Sequence, residues 1–251
     1  MFLLDLHKYL MSLIGNIARD NIPFSNIRRR KLMKKAIIAI SGGIDSAVVA
    51  ALAKKEGYDL YFLTVDYGQK NIKKELQNSK ALAKKFGVVE HKIIDMKWLG
   101  DLGNSITTDI NIHFENVSDD FIYVPYRNTC IISACVAWAE TIDADVIYTG
   151  SDGGPFVCPD NSPEYYKSIN DLVSMSTKLN TKIKVVAPLN YSDKADIIKK
   201  GLELNLPFEN TWSCVVRDDK ACGICKPCRD RIEGFKKVGV NDPIEYLEGG
   251  K

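Results

Sequence analysis

Apolar residues enter this chain in short β-branched runs: "AIIAI" from Ala36, "DLYFLTV" from Asp59, "VVEHKIID" from Val88 and "ADVIYTG" from Ala144. Between the first three lie stretches with helical periodicity, near 45–56 and 70–86, and a third near 126–142 leads into the fourth run. Strand and helix in turn, with strands apolar on both faces, predict an α/β fold: a doubly wound, Rossmann-like parallel sheet covered on both sides. Further on, "PEYYKSINDLVSMSTKL" and "SDKADIIKKGLEL" read as helices, with Ser192 and Asp193 available to cap the second. Ahead of the first strand, Leu3, Leu6, Leu10, Leu13, Ile14 and Ile17 recur at helical spacing and predict one amphipathic helix. The basic run "RRRKLMKK" that follows reads as a solvated linker. After Trp212 the texture turns cysteine-rich. The chain thus divides into a helical extension (1–35), an α/β domain (36–205) and a small C-terminal subdomain (206–251).

Composition narrows the classes. A length of 251 residues permits one large core with an appendage. The net charge of +2, from 34 basic and 32 acidic residues, sets up no field that calls for nucleic acid. No apolar run approaches the ~20 residues of a membrane span. The opening "MFLLDLHKYLMSLIG" is interrupted by Asp5, His7 and Lys8 and leads to no small-residue cleavage site. The expected location is therefore cytoplasmic and reducing, where cysteines serve as metal ligands, catalytic groups or core fillers.

The chemistry begins at Ser41-Gly42-Gly43-Ile44-Asp45-Ser46, where the first strand runs into two glycines and then a helix. Such a turn brings backbone amides and a helix N-terminus to one spot, which attracts an anion. A simpler reading is a tight turn with Asp45 or Ser46 acting only as a helix cap. The stretch is not a Walker A loop, which needs a lysine, nor a dinucleotide fingerprint. In open α/β sheets ligands bind beyond the carboxyl ends of the strands, where this turn lies.

Cys214, Cys222, Cys225 and Cys228 follow C-x7-C-x2-C-x2-C. Four thiolates with short C-x2-C arms suit structural Zn²⁺; the last three also match an iron–sulfur spacing, and a cluster of free buried thiols is the bland alternative. A closed four-cysteine site leaves no open position for chemistry, so its expected role is structural. Cys130 and Cys135 read as core fillers, and Cys158 as filler rather than nucleophile.

Ser41–Ser46 resembles the S-G-G-x-D-S PP-loop of ATP pyrophosphatases, which cut ATP between its α and β phosphates. With "VDYGQK", "VPYRN", "LELNLPFENTWSC" and the cysteine tail, residues 36–235 resemble the 7-cyano-7-deazaguanine synthase (QueC-like) family. That resemblance implies an ATP-dependent carbon–nitrogen ligase. Such enzymes adenylate 7-carboxy-7-deazaguanine, let ammonia displace AMP to form the amide, and spend a second ATP to reach the nitrile. By the same resemblance Ser41, Gly42, Gly43, Ile44, Asp45, Ser46 and Gln69 bind ATP, and Asp45 acts through Mg²⁺. Asp45, Ser46 and Arg127 are the catalytic candidates. Tyr67, Gly68, Tyr126, Arg127, Asn128, Asp152, Pro159 and Asp160 are the substrate candidates, and the four cysteines hold zinc. The family is commonly dimeric, which implies a homodimer by analogy.

The chain departs from the family pattern at several places. Asn71 stands where histidine is usual, Tyr126 where glycine is usual, and "VCPDN" replaces "GYPDC", keeping only Pro159 and Asp160. These changes are expected around the substrate, away from the ATP loop and the cysteine site. They leave open a variant that stops at the amide or passes the activated deazaguanine to another amine. That amine would include one on a partner protein, as QueC-like proteins of anti-phage operons would require. A tRNA sulfur transferase is the weaker alternative, since it should carry a cysteine pair near the ATP site.

Overall fold

The computed structural model describes residues 34–113, 118–152, 158–178 and 182–247. The helix expected between Leu3 and Ile17 lies outside them, as does Val157. Residues from Lys34 onward form one compact unit. Among the described residues no helix is long and apolar enough to cross a membrane.

Five parallel strands lie in the order β3-β2-β1-β4-β5. They are β1 (Lys35–Ala39), β2 (Asp59–Asp66), β3 (Glu90–Asp95), β4 (Val146–Tyr148) and β5 (Lys184–Val186). The helices are α1 (Ile44–Lys55), α2 (Ile72–Phe86), α3 (Arg127–Ile142), α4 (Pro163–Ser176), α5 (Lys194–Glu203) and α6 (Lys226–Val238), with a single turn at Trp98–Asp101. The expected doubly wound sheet is present, with β5 as a strand that the sequence pattern did not signal.

Alternation along β1 divides the core in two. Ile38 and Ile40 face a layer that includes Val48, Leu82, Ile197 and Phe235 from α1, α2, α5 and α6. Ile37 faces the other layer, with Ile132, Cys135 and Trp138 of α3 and Tyr166 and Val173 of α4. Both faces of the central strands are dry, which is why they read as unbroken apolar runs. The segment from 206 onward is rooted in the first layer: Leu206, Phe208 and Phe235 belong to it. The rings of Phe208 and Phe235 meet edge to face at 5.2 Å.

The order reverses between β1 and β4, so their connections leave on opposite sides of the sheet and open a crevice at their carboxyl ends. The Ser41–Ser46 turn lies there.

Candidate active site

The turn is tight because its side chains bond back to it. Ser46 Oγ donates to the Gly43 carbonyl at 3.1 Å and lies 3.2 Å from Ser41 Oγ, which accepts from the Gly43 amide at 3.2 Å. Gly42 adopts φ +77°, and a Cβ there would come within 2.9 Å of the Glu75 carbonyl oxygen. Gly150, just beyond β4, admits no side chain either: a Cβ would lie 2.6 Å from the Ser46 amide nitrogen. The strand end thus abuts the first turn of α1. Gly43 is the N-cap of α1 and no side chain caps it. The simple capping role for Asp45 or Ser46 is therefore not what the structure contains, and the positive end of α1 faces the crevice.

Asp45 is turned to a cation instead. Lys194 Nζ donates to both its oxygens, at 2.6 and 2.8 Å, and to Asp152 Oδ2 at 3.1 Å. Lys194 is the first residue of α5, whose N-cap Asp193 accepts from the Asp196 amide. Burial raises the Asp45 carboxyl above its ordinary value, against the pull of Lys194. Lys194 is held firmly protonated by the two carboxylates, which outweigh its own desolvation. No motif in the sequence pointed to this lysine.

A cavity of about 390 Å³ opens beside the loop. On its wall stand Ser41, Gly43, Ile44, Asp45, Ser46, Tyr67, Arg127, Asn128 and Asp152 of the expected residues. Glu75, Gly150, Asn161, Lys194, Trp212 and Asp230 join them unannounced. Asp152, Cys158, Asn161, Lys194 and Asp230 also line an adjoining chamber of about 330 Å³ between α5 and α6. Both volumes fall in the range of small-molecule sites. Arg127 opens α3 and donates from Nη1 to the Tyr67 hydroxyl at 3.2 Å, its guanidinium 5.3 Å from that ring's centroid. Among the described residues no acid forms an ion pair with it. Cys158 lines both chambers, but burial keeps its thiol above the ordinary value despite Arg127, so it lacks the character of an activated nucleophile. Cys135 is a core filler, its thiol pushed up to about 12 by burial.

Several expected residues are not on this wall. Gln69 is only 2 % exposed, and its amide is fully engaged within the fold. Its Oε1 accepts from the Tyr67 amide at 2.8 Å, and Nε2 donates to the Val65 carbonyl at 3.0 Å and Glu75 Oε2 at 2.8 Å. Gly68 shapes this turn at φ +83°. Asp160 caps α3: Oδ2 accepts from the Asn128 amide at 2.9 Å and the Thr129 amide at 3.2 Å. Pro159, beside it, is exposed. Tyr126 is the αL residue before α3, at φ 60°, and 65 % exposed. A glycine suits that backbone without strain, and a tyrosine there holds an αL conformation.

The cysteine tail adjoins the loop directly. The four Sγ atoms are buried and lie within 4.8 Å of one another, with Cys222 and Cys228 at 3.9 Å. Tetrahedral thiolates at ~2.3 Å from one ion stand ~3.8 Å apart, so the arrangement fits a single metal ion. A [4Fe–4S] cluster binds each cysteine to a different iron and spreads them further. The Trp212 amide donates to the Gly42 carbonyl at 2.9 Å, and Asn71 Nδ2 to the Cys214 carbonyl at 2.9 Å. Asn71 lines the cavity and also joins α2 to the tail; it bonds Glu75 Oε1 at 3.2 Å.

The model of the queuosine biosynthesis protein QueC family matches residues 35–239. A 7-cyano-7-deazaguanine synthase of Campylobacter concisus is 39 % identical over 221 residues, spanning 85 % of this chain and 99 % of the relative. Those of Chlorobium phaeovibrioides and Oceanobacillus iheyensis are 37 % and 36 % identical, spanning 84 % and 85 % of this chain and 96 % and 99 % of theirs.

Proposed function

The chain belongs to the QueC family of queuosine biosynthesis proteins, and on that premise we propose that it is an ATP-dependent carbon–nitrogen ligase acting on 7-carboxy-7-deazaguanine. The product is the nitrile 7-cyano-7-deazaguanine, reached with ammonia through the amide and a second ATP. One observation carries this reading: the open N-terminus of α1, the Asp45–Lys194 pair and Arg127 converge on one cavity sized for small molecules.

Adenylation replaces a poor leaving oxygen with AMP, so the protein's task is to position the acid against the α-phosphate and offset charge. The amides and hydroxyls of Ser41–Ser46 hold the departing pyrophosphate, with the dipole of α1 behind them. Lys194 supplies a fixed positive charge at the same place. Asp45 and Asp152, on either side of its ammonium group, are the carboxylates that would hold Mg²⁺, which would supply positive charge to offset that of the phosphates. Arg127, stacked by Tyr67, offers donors to the substrate carboxylate or to phosphate. Zn²⁺ is the metal that four buried thiolates favour, in a structural role.

Incubation with the acid, ATP, Mg²⁺ and ammonium, followed by mass spectrometry, tests the assignment. AMP and pyrophosphate formed only when the acid is present, with a nitrile product, is the expected result. Absence of AMP overturns it. An amide alone, or a protein adduct, replaces the nitrile-forming reading with that of a variant that stops or diverts after the first adenylation.

A further inference from the structure

Glu75 belongs to none of the motifs above, yet it is one of the residues that line the cavity. It sits in the first turn of α2, one face of which backs the Ser41–Ser46 turn: its own carbonyl oxygen is the atom that a side chain at Gly42 would strike. Two amides aim the carboxyl group. Gln69 Nε2 donates to Oε2 at 2.8 Å and Asn71 Nδ2 to Oε1 at 3.2 Å. Both amides are anchored elsewhere, Gln69 by Val65 and Tyr67, Asn71 by the Cys214 carbonyl. A carboxylate has about four acceptor positions, so two such bonds leave it capacity toward the cavity.

Its surroundings hold it near neutrality. Burial raises its pKa from the ordinary 4.5 to about 7, against the bonds from Gln69 and Asn71 and the charge of Arg127; Asp66 adds to the rise. Tyr67, whose phenol is raised by burial and stays neutral, is the other titratable group facing it. A carboxylate of ordinary pKa is a weak base at pH 7, whereas one near 7 can accept a proton and return it. Acyl transfer to ammonia requires such a group, because the attacking nitrogen must lose a proton as it bonds to carbon.

We propose that Glu75 is the general base of the amine-transfer half of the reaction. The inference rests on the ligase reading above. The ammonia nitrogen uses its lone pair to form the C–N bond. The carbon–oxygen bond to the adenylate breaks, and its electron pair leaves with AMP. One N–H proton passes to the Glu75 carboxylate and from there to water, leaving the neutral amide. Gln69 and Asn71 are positioning residues for this base, which gives a reason for two anchored amide donors so close to the Ser41–Ser46 turn.

The test separates the two half-reactions in the full-length, metal-loaded protein. Acid-dependent exchange of pyrophosphate into ATP reports adenylation alone, and amide formation from ammonium reports both steps. In the wild type, amide formation should rise with pH along a limb of midpoint near 7. Glu75→Gln should lower amide formation by roughly 10²–10³-fold more than it lowers exchange, and should abolish that limb. Hydroxylamine, a stronger nucleophile that depends less on base assistance, should recover part of the lost transfer, and so should Glu75→Asp. Equal losses in exchange and transfer, or a limb that persists in Glu75→Gln, would mean that Glu75 is only a brace and overturn the proposal. A wild-type protein with no exchange at all overturns the ligase reading itself, and this inference with it.

Discussion

Lys194 Nζ reaches both carboxylate oxygens of Asp45, at 2.6 and 2.8 Å, and so ties the start of α5 to the first turn of α1 beside the Ser41–Ser46 turn. The pair is partly shielded, with the lysine side chain 18 % and the aspartate side chain 26 % exposed. A cation fixed there needs no reorganisation when phosphate charge builds up. Lys194→Met should lower acid-dependent ATP consumption by about 10²–10³-fold while the protein stays folded. Asp45→Asn should do the same. Steady-state kinetics beside circular dichroism melts checks both; loss of the fold in each variant would make the pair structural rather than catalytic.

Glu75 also predicts how stability depends on pH. Its folded pKa of about 7 lies above the ordinary 4.5, so between those values the folded state holds a proton that the unfolded chain has released. Stability contributed by this group is present at low pH and is lost as pH rises through the window, by on the order of 2–3 kcal/mol. Urea midpoints measured from about pH 5 to about pH 8 should fall more steeply for the wild type than for Glu75→Gln.

Tyr126 holds an αL backbone at φ 60° with its ring exposed. A non-glycine residue there costs roughly 1–2 kcal/mol, partly offset by the greater freedom of glycine in the unfolded chain. Tyr126→Gly should therefore stabilise by about 0.5–1 kcal/mol, raising Tm by roughly 1–4 °C, with acid-dependent exchange unchanged. A lower Tm would show that the ring packs where the structure exposes it.

The tail should not be separable from catalysis. Arg231 is fully buried, bonds Asp242 twice at 2.8 Å, and donates to the Thr211 hydroxyl at 2.9 Å, next to Trp212 and the ATP loop. Arg231→Leu takes the counter-charge from the Asp242 carboxylate, leaving it the Tyr246 hydroxyl and the Ile244 amide, at an expected cost of about 3–5 kcal/mol. Cys225→Ala, or metal removal by chelation, should lower Tm and, in the fraction that remains folded, weaken ATP binding at least tenfold. Calorimetric titration with ATP on metal-loaded and metal-stripped protein reads this directly. Unchanged affinity after metal loss would show that the tail does not support the loop.

What could be read from the residues, and what could not, divides along physical lines. Ser41–Ser46 and the cysteine tail were legible because each packs its chemistry into a short, fixed spacing. The strands were legible because dry faces leave unbroken apolar runs, except β5, a short edge strand of which only Val185 is fully buried. Lys194 was hidden because one lysine among many in the chain gains its meaning only from Asp45 and Asp152, which reach it through the fold. Glu75 was hidden for the same reason: burial gives it its character, and burial has no letter in the sequence. Gln69 and Asp160 erred the other way. They stand inside recognisable motifs, but their hydrogen bonds are satisfied by Val65, Tyr67, Asn128 and Thr129. A motif residue can thus be needed to build a site without lining it.

The bond from the Trp212 amide to the Gly42 carbonyl has a temporal meaning as well as a spatial one. The glycine turn leaves the ribosome early and its partner late; Asn71 and Cys214, the second tie, stand 143 positions apart. A nascent chain therefore carries the nucleotide loop for most of its synthesis without the backbone that closes it. Contacts of such long sequence separation form last and slowly. A product that stops short of the tail lacks the backbone donor that closes the glycine turn, along with the Phe208 and Phe235 rings that complete one core layer.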